Sequence, residues 1–96
     1  MGKLEKRFLD EVILAWHGLA WWRYEPLALR LAKGSSYTPD FAIMVTSGEV
    51  KMIEVKGFWT DNARTKIKVA AELFPFQFFG VMWDRKAKAW TWENFS

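Results

Sequence analysis

The spacing of apolar residues divides the chain into seven predicted elements. From Lys3 to about Leu19 the apolar residues recur every three or four positions, which is typical of an amphipathic helix. A second helix is predicted from Thr60 or Asp61 to Phe74, because its apolar residues share one face and Pro75 ends it. The other apolar segments predict strands. These are Trp21–Leu31 (an edge strand interrupted at Pro26), Phe41–Val45, Glu49–Lys56, Phe76–Trp83 and Lys88–Trp92.

The order of these elements, α-β-β-β-α-β-β, predicts an α/β fold. The step from Glu49 through the second helix to Trp83 is long enough for a crossover between parallel strands. We therefore expect a mixed β-sheet flanked by helices, with a turn at Lys33-Gly34-Ser35-Ser36. A chain of 96 residues is sufficient for one hydrophobic core, so 1–96 is interpreted as a single domain.

Composition and charge narrow the classes of function. The chain is 51% hydrophobic and 26% charged, as folded proteins are, and its net charge of +3 favours a polyanionic partner without establishing one. Because it has no cysteine, disulfides and thiolate metal sites are excluded. No apolar run is long enough for a bilayer and the N-terminus lacks a signal core, so we expect no membrane and a cytoplasmic location. Seven Trp and eight Phe exceed what so small a core can easily cover, which favours a homodimer.

Two acidic residues and a lysine carry the candidate chemistry. Glu54 and Lys56 are two apart on one predicted strand, so their side chains share a face, and Asp40 begins the preceding strand. Two facing carboxylates beside an ammonium are suited to hold one or two Mg²⁺ or Mn²⁺ ions and to cleave a phosphodiester. Taken singly, Asp40 could instead be a turn residue, and Glu54 with Lys56 the solvated face of an edge strand.

The length of the hairpin loop decides whether Asp40 faces Glu54. A two-residue loop would place Asp40 opposite Val55, with its side chain turned away from Glu54. A three-residue loop, Thr46 to Gly48, would place it directly opposite Glu54. Three-residue loops commonly end in a left-handed residue, so Gly48 favours the longer loop and the carboxylate pairing.

The first helix supplies a third acid. At about 100° per residue, its apolar arc runs from Leu4 through Phe8 to Leu9, with Glu5 near the middle and Glu11 at the margin. A carboxylate on a core-facing stripe is costly unless it is paired or bound to metal. Glu5 is therefore the predicted fourth site residue. The alternative is an ordinary helix-start acid, favoured by the helix dipole.

The chain resembles the PD-(D/E)xK nucleases, and in particular the phage endonuclease I family of Holliday-junction resolvases. The resemblance lies in Tyr37-Thr38-Pro39-Asp40-Phe41 and, after the hairpin, Glu54-Val55-Lys56-Gly57-Phe58-Trp59. The segment Gly2-Lys3-Leu4-Glu5 also matches the Gly-x-Leu-Glu context of the helix acid in that family. The resemblance covers roughly Gly2 to Phe74 and does not extend to the Trp-rich C-terminal strand.

The resemblance implies a restriction-endonuclease-like fold, Mg²⁺-dependent cleavage of DNA phosphodiesters and often a homodimer. Mn²⁺ is expected to substitute for Mg²⁺, and no small-molecule cofactor is expected. The implied catalytic residues are Glu5, Asp40, Glu54 and Lys56. The implied metal ligands are Asp40, Glu54, the Val55 backbone carbonyl and Glu5.

Arg64, Lys66 and Lys68 follow the site and are predicted to meet DNA phosphates; a solvated helix face is the alternative. The leading hypothesis is an endodeoxyribonuclease acting on branched or otherwise structured DNA in a bacterial or phage-infected cell. One alternative is a DNA-binding or assembly module that keeps a degenerate nuclease fold. Another is a phage replication or packaging protein whose nuclease core acts only with a partner.

Overall fold

Two α-helices and seven strands make up the computed structural model, which describes residues 1–96. The expected α/β class is confirmed. Helix α1 (Lys3–Phe8) continues as a π-helical segment (Leu9–Ile13), and α2 spans Asp61–Leu73. The strands are β1 (Leu19–Tyr24), β2 (Leu29–Ala32), β3 (Ser35–Tyr37), β4 (Phe41–Val45), β5 (Val50–Lys56), β6 (Gln77–Asp84) and β7 (Ala89–Asn94). Neither helix is long and apolar enough to cross a membrane.

Strand β5 is the middle strand of a five-stranded sheet with the order β1-β4-β5-β6-β7. It runs antiparallel to β4 and parallel to β6, and α2 connects β5 to β6. The predicted mixed sheet and parallel crossover are therefore confirmed. Strands β2 and β3 form a separate two-stranded hairpin.

Each face of the sheet buries its own apolar cluster. The strands alternate in the way that the pleat requires, so that successive residues of β4 and β5 contribute to opposite faces. The cluster under α1 and the π-helical segment consists of Phe8, Leu9, Ile13, Phe41, Ile43, Ile53, Val55 and Val81. The cluster under α2 and the β2–β3 hairpin consists of Leu29, Tyr37, Ala42, Met52, Ile67, Ala70 and Phe78.

The first helix is shorter than predicted. Helix α1 and its π-helical continuation end together at Ile13 and not near Leu19, because Leu19 already pairs with Val45 at the edge of the sheet. Trp16 still packs against the core, but from the turn that joins the helix to β1. The apolar residues at the end of the predicted helix do pack against the core. They do so outside the helix, because the backbone at Leu19 pairs with β4.

The predicted strand Trp21–Leu31 is two strands, β1 and β2, in different sheets. The predicted edge position of β1 and the interruption around Pro26 are confirmed. Glu25 adopts a left-handed conformation (φ +44°) before Pro26, and the chain leaves the main sheet there. Ser35 and Ser36, predicted as turn residues, belong to β3, whereas Gly34 lies in the turn. The element order is therefore α-β-β-β-β-β-α-β-β.

The Trp-rich strand β7 closes the core. The Trp90 and Trp92 rings lie 5.1 and 5.7 Å from that of Phe8, measured between ring centroids. Five of the seven tryptophans are half-buried, and only Trp21 and Trp92 keep about 40% of their surface exposed. Much of the aromatic surface therefore packs within the chain itself. The homodimer remains a prediction.

Candidate active site

The β4–β5 hairpin brings the two predicted carboxylates together. Its register, continued by one position beyond β4, places Asp40 directly opposite Glu54. The last backbone hydrogen bond before the loop joins the Val45 N–H to the Glu49 carbonyl at 3.1 Å. The loop therefore has three residues, and Gly48 closes it with a left-handed φ of +94°. The longer of the two predicted loops is confirmed.

Pro39 explains why the backbone ladder stops at this point. Hydrogen bonds join every second pair of an antiparallel ladder, and the next such pair after β4 would be Pro39 with Val55. Pro39 has no N–H, so it cannot donate to the Val55 carbonyl and the pair cannot form both of its hydrogen bonds. The Val55 N–H donates to a side chain, Oδ2 of Asp40, at 2.8 Å. Since the N–H and C=O of a strand residue point to the same side, the Val55 carbonyl also faces the Asp40 side of β5.

Glu54 is a buried carboxylate held between two partners. Only 7% of its surface is exposed, which is unusual for an acidic residue. The Tyr37 hydroxyl donates to its Oε1 at 2.7 Å, and the Lys56 ammonium lies 3.3 Å from its Oε2. Glu54 and Lys56 stand at the carboxyl end of β5, where it runs beside the parallel strand β6. The carboxyl ends of parallel strands are a common place for ligand sites.

Glu5 joins the site from the first turn of α1. Its Oε1 accepts the Gly2 N–H at 2.8 Å, and its Oε2 accepts the Tyr24 hydroxyl at 3.1 Å. The carboxyl group of Asp40 lies close enough to affect the pKa of Glu5. Glu5 is therefore both the helix cap and a neighbour of Asp40. Glu11, the less favoured candidate, is exposed and pairs with Arg7 instead.

The three carboxylates form a row with Asp40 in the middle. Burial, and then the negative charge of Glu54, raise the pKa of Asp40 to about 8, against the opposing effect of the Val55 N–H. For Glu5, burial raises the pKa, but hydrogen bonds from Gly2, Asp40 and Tyr24 outweigh it, so the pKa is lowered. At neutral pH the proton between Asp40 and Glu5 therefore belongs to Asp40, whose pKa is the higher of the two. Lys56 is the only ammonium paired with any of the three acids.

The donor atoms suit a hard divalent cation. No set of three or more histidine, aspartate and glutamate side chains is gathered closely enough to hold a metal ion by itself. Asp40 and Glu54 offer carboxylate oxygens, and the Val55 carbonyl faces the same side, which makes a mixed side-chain and backbone set of oxygen ligands. Asp40 holds a proton at neutral pH in the metal-free site. Once a cation displaces that proton, three carboxylates face one ammonium, and the charge of one Mg²⁺ balances the difference.

The three basic residues predicted to bind DNA differ in their surroundings. Arg64 makes two hydrogen bonds to Glu93, at 2.9 and 2.6 Å, and its guanidinium lies 5.5 Å from the Trp59 ring. Lys66 lines a cleft beside the site, and Lys68 is exposed on α2. Neither of these two lysines has a carboxylate partner, and the Lys66 ammonium donates only to the Ser36 carbonyl, at 3.4 Å.

A cleft of about 220 Å³ opens next to Glu54 and Lys56. It lies between the end of β5, the β2–β3 hairpin and the first turns of α2. Its lining residues are Tyr37, Thr38, Glu54, Lys56, Thr60, Asn62, Ala63 and Lys66. The site is thus open to a ligand from the α2 side.

No family model matches the sequence, and no curated protein matches it significantly.

The sequence did not reveal the role of the tyrosines. The chain has only two, and both donate their hydroxyls to candidate site residues, Tyr24 to Glu5 and Tyr37 to Glu54. Tyr37 stands in one of the segments that carry the nuclease resemblance, but nothing local shows where its hydroxyl points. That direction follows from the position of β3 over the sheet.

Proposed function

We propose that this protein is a metal-dependent endonuclease of the PD-(D/E)xK type that hydrolyses DNA phosphodiester bonds. The observation that carries the proposal is the direct pairing of Asp40 with Glu54, with Lys56 3.3 Å from the Glu54 carboxylate. Two carboxylates can hold a divalent cation through oxygen ligands, and a lysine beside them can neutralise charge on a phosphate. The carboxylates would also repel each other, which a divalent cation relieves.

Asp40, Glu54 and the Val55 carbonyl are the residues that would hold the ion, Mg²⁺ or Mn²⁺. Bound there, the ion would act as a Lewis acid on the phosphate and lower the pKa of a water molecule. Lys56, with its ammonium partly open to the cleft, would orient that water or neutralise charge developing on the phosphate. Glu5, whose pKa is lowered, is ionised at neutral pH and would hold Asp40 in place.

Branched or otherwise structured DNA is the proposed substrate, and a homodimer acting in the cytoplasm of a bacterial or phage-infected cell is the proposed form. The net charge of +3 supports a DNA partner, as do Lys66 and Lys68, whose ammonium groups have no carboxylate partner. Two copies of one site are suited to paired cuts in a symmetric substrate.

Cleavage assays test the proposal. The protein would be incubated with junction, nicked, single-stranded and plain duplex DNA, with Mg²⁺, with Mn²⁺ and with a chelator. We expect metal-dependent cleavage that Glu54→Gln reduces to background. Glu49→Gln is the matched control, because Glu49 is an exposed acid just before the other end of β5. Cleavage of no substrate, or equal cleavage by Glu54→Gln, would refute the proposal.

A second candidate is a DNA-binding module with an inactive nuclease fold. The observation that favours it is the net charge of +3, which supports DNA binding whether or not the site cleaves. Such a module would bind DNA tightly and in a salt-dependent way, with no change on addition of Mg²⁺ and no cleavage. Binding measurements with and without Mg²⁺ separate the two candidates.

A further inference from the structure

Phe58 is the only exposed phenylalanine of the eight in the chain. Its exposed fraction is 74%, the highest among the large apolar residues. Its ring belongs to neither core cluster and pairs with no other aromatic ring. The neighbouring Trp59, by contrast, packs its indole against Phe95 at 5.6 Å. The loop therefore buries one aromatic residue and presents the other to solvent.

Phe58 lies between two residues of the chain that line the cleft, although it does not line the cleft itself. It lies two residues from Lys56 and two from Thr60, and both of these line the cleft. Consecutive Cα atoms are about 3.8 Å apart, so the Cα of Phe58 is within about 7.6 Å of each of theirs. The exposed Phe58 side chain is therefore near enough to meet a ligand that extends out of the cleft.

The cleft itself has the groups that a phosphate requires. Lys56, Lys66, Thr38 and Thr60 line it. Glu54 lines it as well and pairs with Lys56, but the two lysines outnumber this one acid. A cationic groove beside an exposed aromatic ring is the combination that binds unpaired nucleotides, because the groove takes the backbone and the ring stacks on a base. In an intact duplex the face of each base is covered by its neighbours, so a protein ring reaches only a base that has left the stack.

We infer that Phe58 and the cleft form a binding site for an unpaired nucleotide of DNA, with the Phe58 ring on the base and Lys56 and Lys66 on the adjacent phosphate. This inference rests on the proposed function and specifies its substrate class. The substrate is DNA that carries an unpaired or unstacked nucleotide at the cleavage position. Single strands, bulges and the branch points of junctions meet this condition, and a continuous duplex does not.

The experiment measures binding rather than cleavage. Fluorescence anisotropy would compare a single-stranded oligonucleotide, a duplex with a one-nucleotide bulge and a blunt duplex, in metal-free buffer at low salt. We expect Phe58→Ala to weaken binding to the first two by about tenfold and to the blunt duplex by less than twofold. Phe58→Tyr should retain the preference, because it keeps the ring. Leu73→Ala is the control, since Leu73 is an exposed apolar residue (54%) at the far end of α2.

Three results would overturn the inference. Phe58→Ala could weaken binding to all three DNAs equally, Phe58→Tyr could bind as weakly as Phe58→Ala, or Phe58→Ala could turn a dimer into a monomer by size-exclusion chromatography. The last result would make Phe58 an interface residue. Because no hydrolysis is needed, Phe58-dependent binding without cleavage of any DNA would leave this site standing and refute only the nuclease.

Discussion

The hydroxyl of Tyr37 donates a 2.7 Å hydrogen bond to Oε1 of Glu54. Burial, and then the charge of Glu54, raise the pKa of Tyr37, so the hydroxyl keeps its proton and remains a donor. With Oε1 held in this way, Oε2 is left to face Lys56 at 3.3 Å. Tyr37 thus positions the carboxylate on which the proposed chemistry depends.

Replacing Tyr37 by phenylalanine is expected to destabilise the fold and weaken metal binding. The change leaves a buried carboxylate oxygen without its donor, which costs about 1–3 kcal/mol. Loss of a group that orients a metal ligand typically lowers metal affinity by about 10- to 100-fold. Urea unfolding and a Mg²⁺ titration of the unfolding midpoint measure the two effects. Tyr24→Phe is the matched control and should have the smaller effect, because Glu5 keeps the Gly2 N–H. Equal effects of the two variants would contradict this role.

Asp40→Asn is expected to stabilise the metal-free protein at alkaline pH. The folded-state pKa of Asp40 is about 8, above its ordinary value of 3.8, so the folded state holds the proton more tightly. The free energy of unfolding therefore falls as the pH rises from about 4 to about 8. Asparagine keeps an oxygen for the Val55 N–H and carries no charge, so the variant should lack this fall.

At pH 9 we expect Asp40→Asn to exceed the wild type by about 1–3 kcal/mol, a value reduced from the full shift because Asp40 is partly solvated. Glu5 contributes with the opposite sign, but only around pH 4.5 and below. Urea unfolding at pH 5, 7 and 9 with a chelator measures the difference. The exposed Asp10→Asn should show no such pH dependence. A difference that does not grow with pH would count against the raised pKa.

The sequence predicted which acidic side chains lie close together more accurately than it predicted where the helices and strands end. Gly48 was enough to choose the hairpin register, because a left-handed position is a local requirement. The inward position of Glu5 was predictable because the apolar face of a helix is also defined by neighbouring residues. The predicted first helix extends beyond Ile13 because its sequence does not show that β4 pairs with Leu19. The partner of Arg64 could not be predicted because Glu93 lies 29 residues away on β7. Contacts between distant segments leave no periodic trace.

Substitutions at Arg64 and Lys66 are expected to have different effects, the first on the stability of the fold and the second on DNA binding. The Arg64 guanidinium is paired with Glu93 and lies against Trp59, so Arg64→Ala should lower the urea midpoint and leave the salt dependence of DNA binding unchanged. Lys66→Ala should leave the midpoint unchanged and reduce the slope of log K against log salt by about 1. Binding isotherms at four salt concentrations provide the measurement. A reduced slope for Arg64→Ala would show that DNA displaces Glu93.

Gly80→Ala is expected to destabilise the fold by about 1–3 kcal/mol through overpacking. Gly80 pairs with Glu54 across β5 and β6, and a Cβ at this position would overlap the Trp59 indole and lie 2.9 Å from the Phe95 ring. Gly57→Ala is the control, because a Cβ there meets no atom within 4 Å. Urea unfolding of both variants tests the difference. If the two changes cost the same, the Trp59 side chain does not rest on Gly80.

The hydrogen bond from the Val55 amide to the Asp40 carboxylate makes one backbone proton a reporter of the site. Most amides of a middle strand give their protons to another strand and respond only to its opening. This one is bonded to a titrating group, so its chemical shift and its exchange with solvent should follow the ionisation of Asp40. A single resonance in a ¹⁵N-labelled sample would then record proton loss, cation uptake and the approach of a phosphate, with no need to observe a cleaved product.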